Sequence, residues 1–309
     1  MRADDSSLTP DQYRKVRKEA EKLLSEACAI GRFPTPVDDI MSAAKLVIAP
    51  ENVLDEGFLQ RMRRKASAAL KQALSKVLGL FDATARLVFI DQSLGASKQT
   101  FIKLHEAGHG VLPWQRGLYA VVEDCEKSLA PEVAEAFDRE ANNFATEVLF
   151  QLDGFTTESR DHGFGLKCPM KLSRKYGASI YASLRHYVRK NDRACVVIVL
   201  DPPEIAFCDG FKARLRRIVS SPSFEERFGQ LALPEEFTPD DKIGSMIPVG
   251  NRKMTGPREL ELTDRNGDRH ECLAEAFKHP YNVFILICVK SALSKRKIIL
   301  GPNQGRQPL

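Results

Sequence analysis

The sequence predicts an α+β protein, mostly helical with a small β-hairpin through residue 192 and β-rich beyond it. Three observations lead there. Apolar residues recur at helical spacing between cap residues; two short apolar runs at 77–82 and 86–91 break that period; strand-like runs with turn signals take over from Ala194. A chain of 309 residues, 43% hydrophobic and 28% charged, has the composition of a soluble globular protein. That length allows two or three domains and a buried site.

The elements follow in order. Thr9 is suited to cap a helix over 10–29, with Pro10 in its first turn and Val16, Ala20, Leu23 and Leu24 on one face. Gly31 and Pro34 end it. A second short helix opens at Pro36, where Asp38 and Asp39 favour the N-terminal dipole and Ile40, Ala43 and Ala44 share a side. Residues 59–78 form a basic amphipathic helix that carries the Arg61–Lys65 cluster. The runs 77–82 and 86–91 read as a β-hairpin. Ser97 is the expected cap of a helix over 98–112, which Pro113 stops. A helix rich in Ala and Glu spans 131–150, and helices at 170–177 and 179–190 join at Gly177-Ala178-Ser179. Beyond them, Ala194–Leu200 and Val283–Val289 read as buried strands, with turns at Asp201-Pro202-Pro203 and His279-Pro280. Asn266-Gly267 predicts a hairpin between Glu259–Leu262 and His270–Ala274. The domains expected are 1–192, then 193–300 as a sensor or docking unit, then a frayed Gly/Pro/Gln-rich tail at 301–309.

The net charge of +5 is a mild bias that does not point to nucleic acid, and the clusters Arg61–Lys65 and Lys295-Arg296-Lys297 read as solvated faces. Seven cysteines, odd in number, widely spaced and without C-x-x-C, argue against a disulfide framework or a cysteine–zinc knuckle. Cys195 and Cys288 sit in apolar runs and read as buried reduced thiols. The N-terminus has no signal-peptide core and no apolar stretch reaches membrane-span length, so a cytoplasmic protein without a membrane partner is expected.

The helix at 98–112 carries His105-Glu106-Ala107-Gly108-His109. Residues four apart lie one above the other on a helix, so His105 and His109 can offer two imidazole nitrogens to one ion. Glu106 can then act as general base toward an activated water. The five-residue pattern also arises by chance. Its place on an amphipathic helix, with Gly108 admitting a close neighbour, strengthens it. A third ligand is required, and the 131–150 helix supplies acids. At about 100° per residue, Asp138 falls inside the apolar arc of Val133, Phe137, Ala141, Phe144, Ala145, Val148 and Leu149. Glu140 falls at its opposite edge. A carboxylate in an apolar arc is costly unless paired or bound to metal. Asp138 is therefore the first candidate and Glu140 the alternative. Tyr119, His162 and Tyr176 are candidates for an oxyanion-stabilising or substrate contact. The motif specifies water activation, not the bond that is cut.

Gln99-Thr100-Phe101-Ile102-Lys103-Leu104-His105-Glu106-Ala107-Gly108-His109 and Asp138-Arg139-Glu140-Ala141-Asn142-Asn143-Phe144-Ala145-Thr146-Glu147-Val148-Leu149 together resemble the ImmA/IrrE family of metallo-endopeptidases. Leu172–Ser179 resembles the helical segment that follows that family's site, and the likeness covers roughly residues 10–190. The resemblance implies a minigluzincin-like peptidase domain, a zinc cofactor with manganese as the alternative, and a protein substrate, a helix-turn-helix DNA-binding repressor. It implies His105 and His109 as ligands and Glu106 as the base. Its third ligand is usually a Glu four residues before the Asn, the position held here by Asp138. Val148-Leu149-Phe150-Gln151 also departs from the family's Leu-Leu-Met-Pro. A competing reading is a transcriptional regulator with a non-catalytic metal site that binds DNA directly. It rests on Lys171, Arg174, Lys175, Arg185, Arg189 and Lys190 around the helix-turn-helix-like segment at 168–190.

Overall fold

The computed structural model describes residues 7–49, 79–82, 86–90, 92–117, 131–206 and 210–290. The basic helix expected at 59–78 with its Arg61–Lys65 cluster, Tyr119, Cys125, Cys208, the Lys295–Lys297 cluster and the tail at 301–309 lie outside those residues. Contacts group the chain into two compact units, one up to Tyr187 and one from Val188 onwards.

In the first unit, α1 (Pro10–Glu26) starts at a reciprocal cap: the Thr9 hydroxyl accepts from the Gln12 amide and the Gln12 side chain accepts from the Thr9 amide. Val16, Ala20, Leu23 and Leu24 are buried. The helix ends before residue 29 because Cys28 takes a left-handed φ of 48°. After α2 (Val37–Ala43) comes a two-residue strand, β1 (Val47–Ile48). The hairpin of β2 (Gly79–Asp82) and β3 (Leu87–Ile90) is antiparallel, with Gly79 opposite Ile90 and Asp82 opposite Leu87. β1 joins it in parallel, giving a sheet of order β1-β3-β2.

The motif helix α3 spans Ala96–Val111. Its cap is Gly95, whose carbonyl accepts from the amides of Lys98 and Gln99, so Ser97 lies inside the first turn and is not the cap. Leu112, held extended ahead of Pro113, ends it. α4 (Pro131–Leu149) crosses α3 closely at Gly108: a β-carbon there would lie 3.1 Å from the Cα of Ala141 and 3.3 Å from Phe144. α3 packs against α4 on one side and against β2 and β3 on the other, while α1 packs on α4. The α1–α4 contact contains a buried carboxylate, Glu147. It accepts from Tyr13 Oη at 2.5 Å and from Arg17, which also holds Asp153. A buried acid so paired is satisfied, whereas one stripped of its partners is strongly destabilising.

After α4 the chain turns through Gln151 and Leu152, both at positive φ. The Gln151 side chain accepts from the Gly31 amide and donates to the Arg32 carbonyl, which ties this turn to the end of α1. A short helix the sequence reading did not include, α5 (Gly154–Arg160), follows. Then come α6 (Lys167–Tyr176) and α7 (Ile180–Arg189). Gly177 ends α6 at φ 72°, a conformation that costs glycine little.

The second unit is a curled antiparallel sheet of order β5-β6-β4-β10-β9-β8, with β7 (Glu236–Phe237) paired to β6. The strands are β4 (Cys195–Leu200), β5 (Glu204–Ala206), β6 (Gly210–Ser220), β8 (Met254–Thr263), β9 (Arg269–His279) and β10 (Asn282–Val289). Every residue of the central pair β4 and β10 is buried. Val196, Ile198, Leu200, Val283, Ile285 and Ile287 build one core, closed by Phe224 and Phe228 of α8 (Pro222–Phe228). Cys195 and Cys288 are free, buried thiols, as read from their apolar runs. The β8–β9 hairpin pairs Glu259 with Leu273 and Leu262 with His270, around a turn at 264–268 that includes Asn266-Gly267.

That turn is held by Asp264. Its carboxylate accepts from the amides of Asn266 and Asp268 and contacts His270 Nε2 at 2.9 Å. The His270 contact first, and then these amides, keep its carboxyl below the ordinary carboxylate range. A depressed folded-state pKa gives stability that is present above the unfolded value and lost as pH falls through the folded one. The gap in thermal midpoint between the wild type and Asp264→Ala is expected to narrow as pH falls below the ordinary carboxylate range. Calorimetry across that range checks this, and a gap independent of pH refutes it.

Candidate metal centre

α3 presents His105 and His109 one turn apart, and α4 brings Asp138 over them. His105 Nε2 lies 3.1 Å from His109 Nε2, and Asp138 Oδ1 lies 3.9 Å and 3.6 Å from these two nitrogens. Tetrahedral zinc with Zn–N of about 2.0–2.1 Å separates its ligand nitrogens by about 3.3–3.4 Å. The histidine pair therefore has close to the required spacing, and the three residues could hold a metal ion.

The outward nitrogens explain why both Nε2 atoms are available. His105 Nδ1 is 3.1 Å from Asn142 Oδ1 and His109 Nδ1 is 2.7 Å from Gln115 Oε1; each ring donates Nδ1–H to an amide oxygen. Two Nε2 lone pairs then face each other at 3.1 Å, an arrangement a cation relieves. Burial lowers His105 to about 4. Burial, followed by the proximity of His105, lowers His109 to about 3. Both rings are neutral near pH 7, the form in which imidazole ligates. Glu106, one residue past the first histidine, is buried, and that burial followed by the charge of Asp138 raises it to about 8.

The two candidate acids stand otherwise than the apolar-arc argument placed them. Asp138 is not in a buried arc: its side chain is 62% exposed. Glu140 is the buried one, at 6%. From Glu132 to Arg139 no residue of α4 is buried, because this end of the helix runs past the core. Asp138 is exposed yet keeps a carboxylate oxygen within 3.9 Å of both histidine Nε2 atoms. Glu140 turns into the protein, where its Oε2 accepts from Trp114 Nε1 and Gln115 Nε2, each at 2.7 Å.

Sequence reasoning overlooked Trp114, Gln115 and Asn142. The one tryptophan of the chain, three residues past the motif helix and beside Pro113, was the available signal. His162 and Tyr176 are not brought to the histidine–aspartate group: Tyr176 is buried among Phe33, Phe150 and Phe155 with its hydroxyl 3.4 Å from Glu158, and His162 lies in the loop before α6. In the helix pair α6–α7, no residue from Tyr176 to Lys190 is exposed, and Lys175 is paired with Glu158. Lys171 and Arg174 of α6 are exposed, whereas Arg185 and Arg189 of α7 are half-buried.

No family model matches the sequence, and no curated protein matches it. Among solved structures, a Mycobacterium tuberculosis transcriptional regulator is similar, with 11% identity, a TM-score of 0.48 and 92% of each chain covered.

The protein is expected to bind about one divalent cation per chain. His105→Ala should abolish binding, and Asp138→Ala should cost more than the roughly 10–100-fold loss typical of a ligand's supporting partner. Equilibrium dialysis with metal analysis checks both. Gly108→Val would push a branched side chain into Ala141 and Phe144. A stability loss of about 1–3 kcal/mol is expected from overpacking, together with weaker metal binding as Asp138 shifts, measurable by denaturant titration beside the dialysis.

Proposed function

We propose that this chain is a metal-dependent endopeptidase of the ImmA/IrrE type, with zinc or alternatively manganese at His105, His109 and Asp138, acting in the cytoplasm on a DNA-binding repressor. One observation carries the reading: a half-buried and a buried imidazole and an exposed carboxylate converge, with a buried glutamate next to the first histidine. Zinc at such a site supplies a Lewis acid and lowers the pKa of water to roughly 7.

The remaining steps belong to the chain's own groups. Glu106 takes a proton from the attacking water at its carboxylate and delivers it to the departing amide nitrogen, so hydrolysis consumes one water and leaves the base as it began. A cation beside Glu106 offsets both its desolvation and the charge of Asp138, which favours the ionised base. The second unit would recognise the signal or the partner.

Glu106→Gln should keep the cation and lose at least about 10²-fold in cleavage rate. Labelling of new peptide N-termini in a cell extract incubated with each protein provides the measurement. The same new termini at the same rate from both proteins would overturn the proposal.

A further inference from the structure

The hydrogen bonds around His109 allow one arrangement of donors. Glu140 Oε2 accepts from Trp114 Nε1, which can only donate, and from Gln115 Nε2. Gln115 Nε2 also donates to the Phe137 carbonyl at 3.2 Å. With two acceptors on that side, the Gln115 amide cannot turn over without setting its oxygen against a carboxylate and a carbonyl. Its Oε1 must face His109, so His109 must carry its hydrogen on Nδ1 and direct the Nε2 lone pair into the site. Gln115 and Glu140 are both buried, so water does not supply a substitute partner. The support of His105 differs: its partner Asn142 is only partly buried, and among the described residues no hydrogen bond from the Asn142 amide nitrogen parallels those that pin Gln115.

We propose that Glu140 is a positioning residue that acts through Gln115 to lock the tautomer of His109, so that this ring is ready to ligate before any cation arrives. Trp114, in the helical segment 113–117 that follows α3, braces Glu140. The alternative third ligand of the sequence reading thus serves the metal at one remove. The consequence for ligation rests on the metal-site reading above, whereas the lock is a property of the metal-free protein and is read there.

The test is long-range ¹H–¹⁵N correlation of the histidine rings in the metal-free protein near pH 7, with zinc affinity measured by chelator competition on the same samples. In the wild type and in Glu140→Gln, whose amide oxygen still accepts from Trp114 and Gln115, His109 should be the Nδ1–H tautomer. In Gln115→Leu and Glu140→Leu, the Nε2–H form should appear and zinc affinity should fall about 10–100-fold. Circular dichroism establishes that each variant is folded, and Gln115→Leu remains decisive if Glu140→Leu does not fold. A His109 tautomer unchanged in folded Gln115→Leu overturns the proposal. If the lock responds as expected while the wild type takes up no zinc, the positioning stands and the metal reading fails.

Discussion

The site depends on how closely two helices can cross. At Gly108 the motif helix has no side chain, and α4 answers with Ala141, so the backbones meet with almost nothing between them. That contact fixes the register of α4 over α3 and sets what its neighbours do. Asp138, one turn earlier, overhangs the histidine pair. Glu140 and Asn142, on either side of Ala141, take the outward nitrogens of the two rings, Asn142 directly and Glu140 through Gln115. Interior packing at near-crystalline density tolerates little adjustment, so these roles are set together.

Around this crossing the unit is stiffened from two directions. The three-stranded sheet backs the motif helix, and α1 clamps α4 from the other side through Tyr13, Arg17 and the buried Glu147. A metal site needs ligands held to a fraction of an ångström, and a helix gripped on both faces supplies that more readily than a loop. Asp138 is the most exposed of the three groups that could hold a metal ion.

Much of this was legible in the sequence, for a physical reason. His105, Glu106 and His109 are related by helical geometry alone, and the small residues Gly108, Ala141 and Ala145 announce a close crossing. The hairpins were legible from two apolar runs either side of a short loop and from Asn266-Gly267. What escaped had no local period. β1 is two residues long and pairs with a strand forty residues away, and Gln115 matters only because a distant glutamate faces it. The inversion of Asp138 and Glu140 has the same origin. A helical wheel gives the angle of each residue but not where along its length the helix leaves the core. Ser97 misled in a smaller way, since a serine near a helix start is a common cap but Gly95 already closes the first turn through its carbonyl.

The hydrogen bond from Trp114 to Glu140 has an optical consequence. Trp114 is the sole tryptophan of the chain, and it belongs to the first unit. Emission excited at the red edge of the absorption band therefore comes from one indole, whose N–H is linked to His109 through three successive hydrogen bonds. Its colour and lifetime sense the environment of the site and are silent about the β-rich unit. A fluorescence melt of this protein is thus a local measurement, and its divergence from a melt followed by β-sheet dichroism would give the independence of the two units.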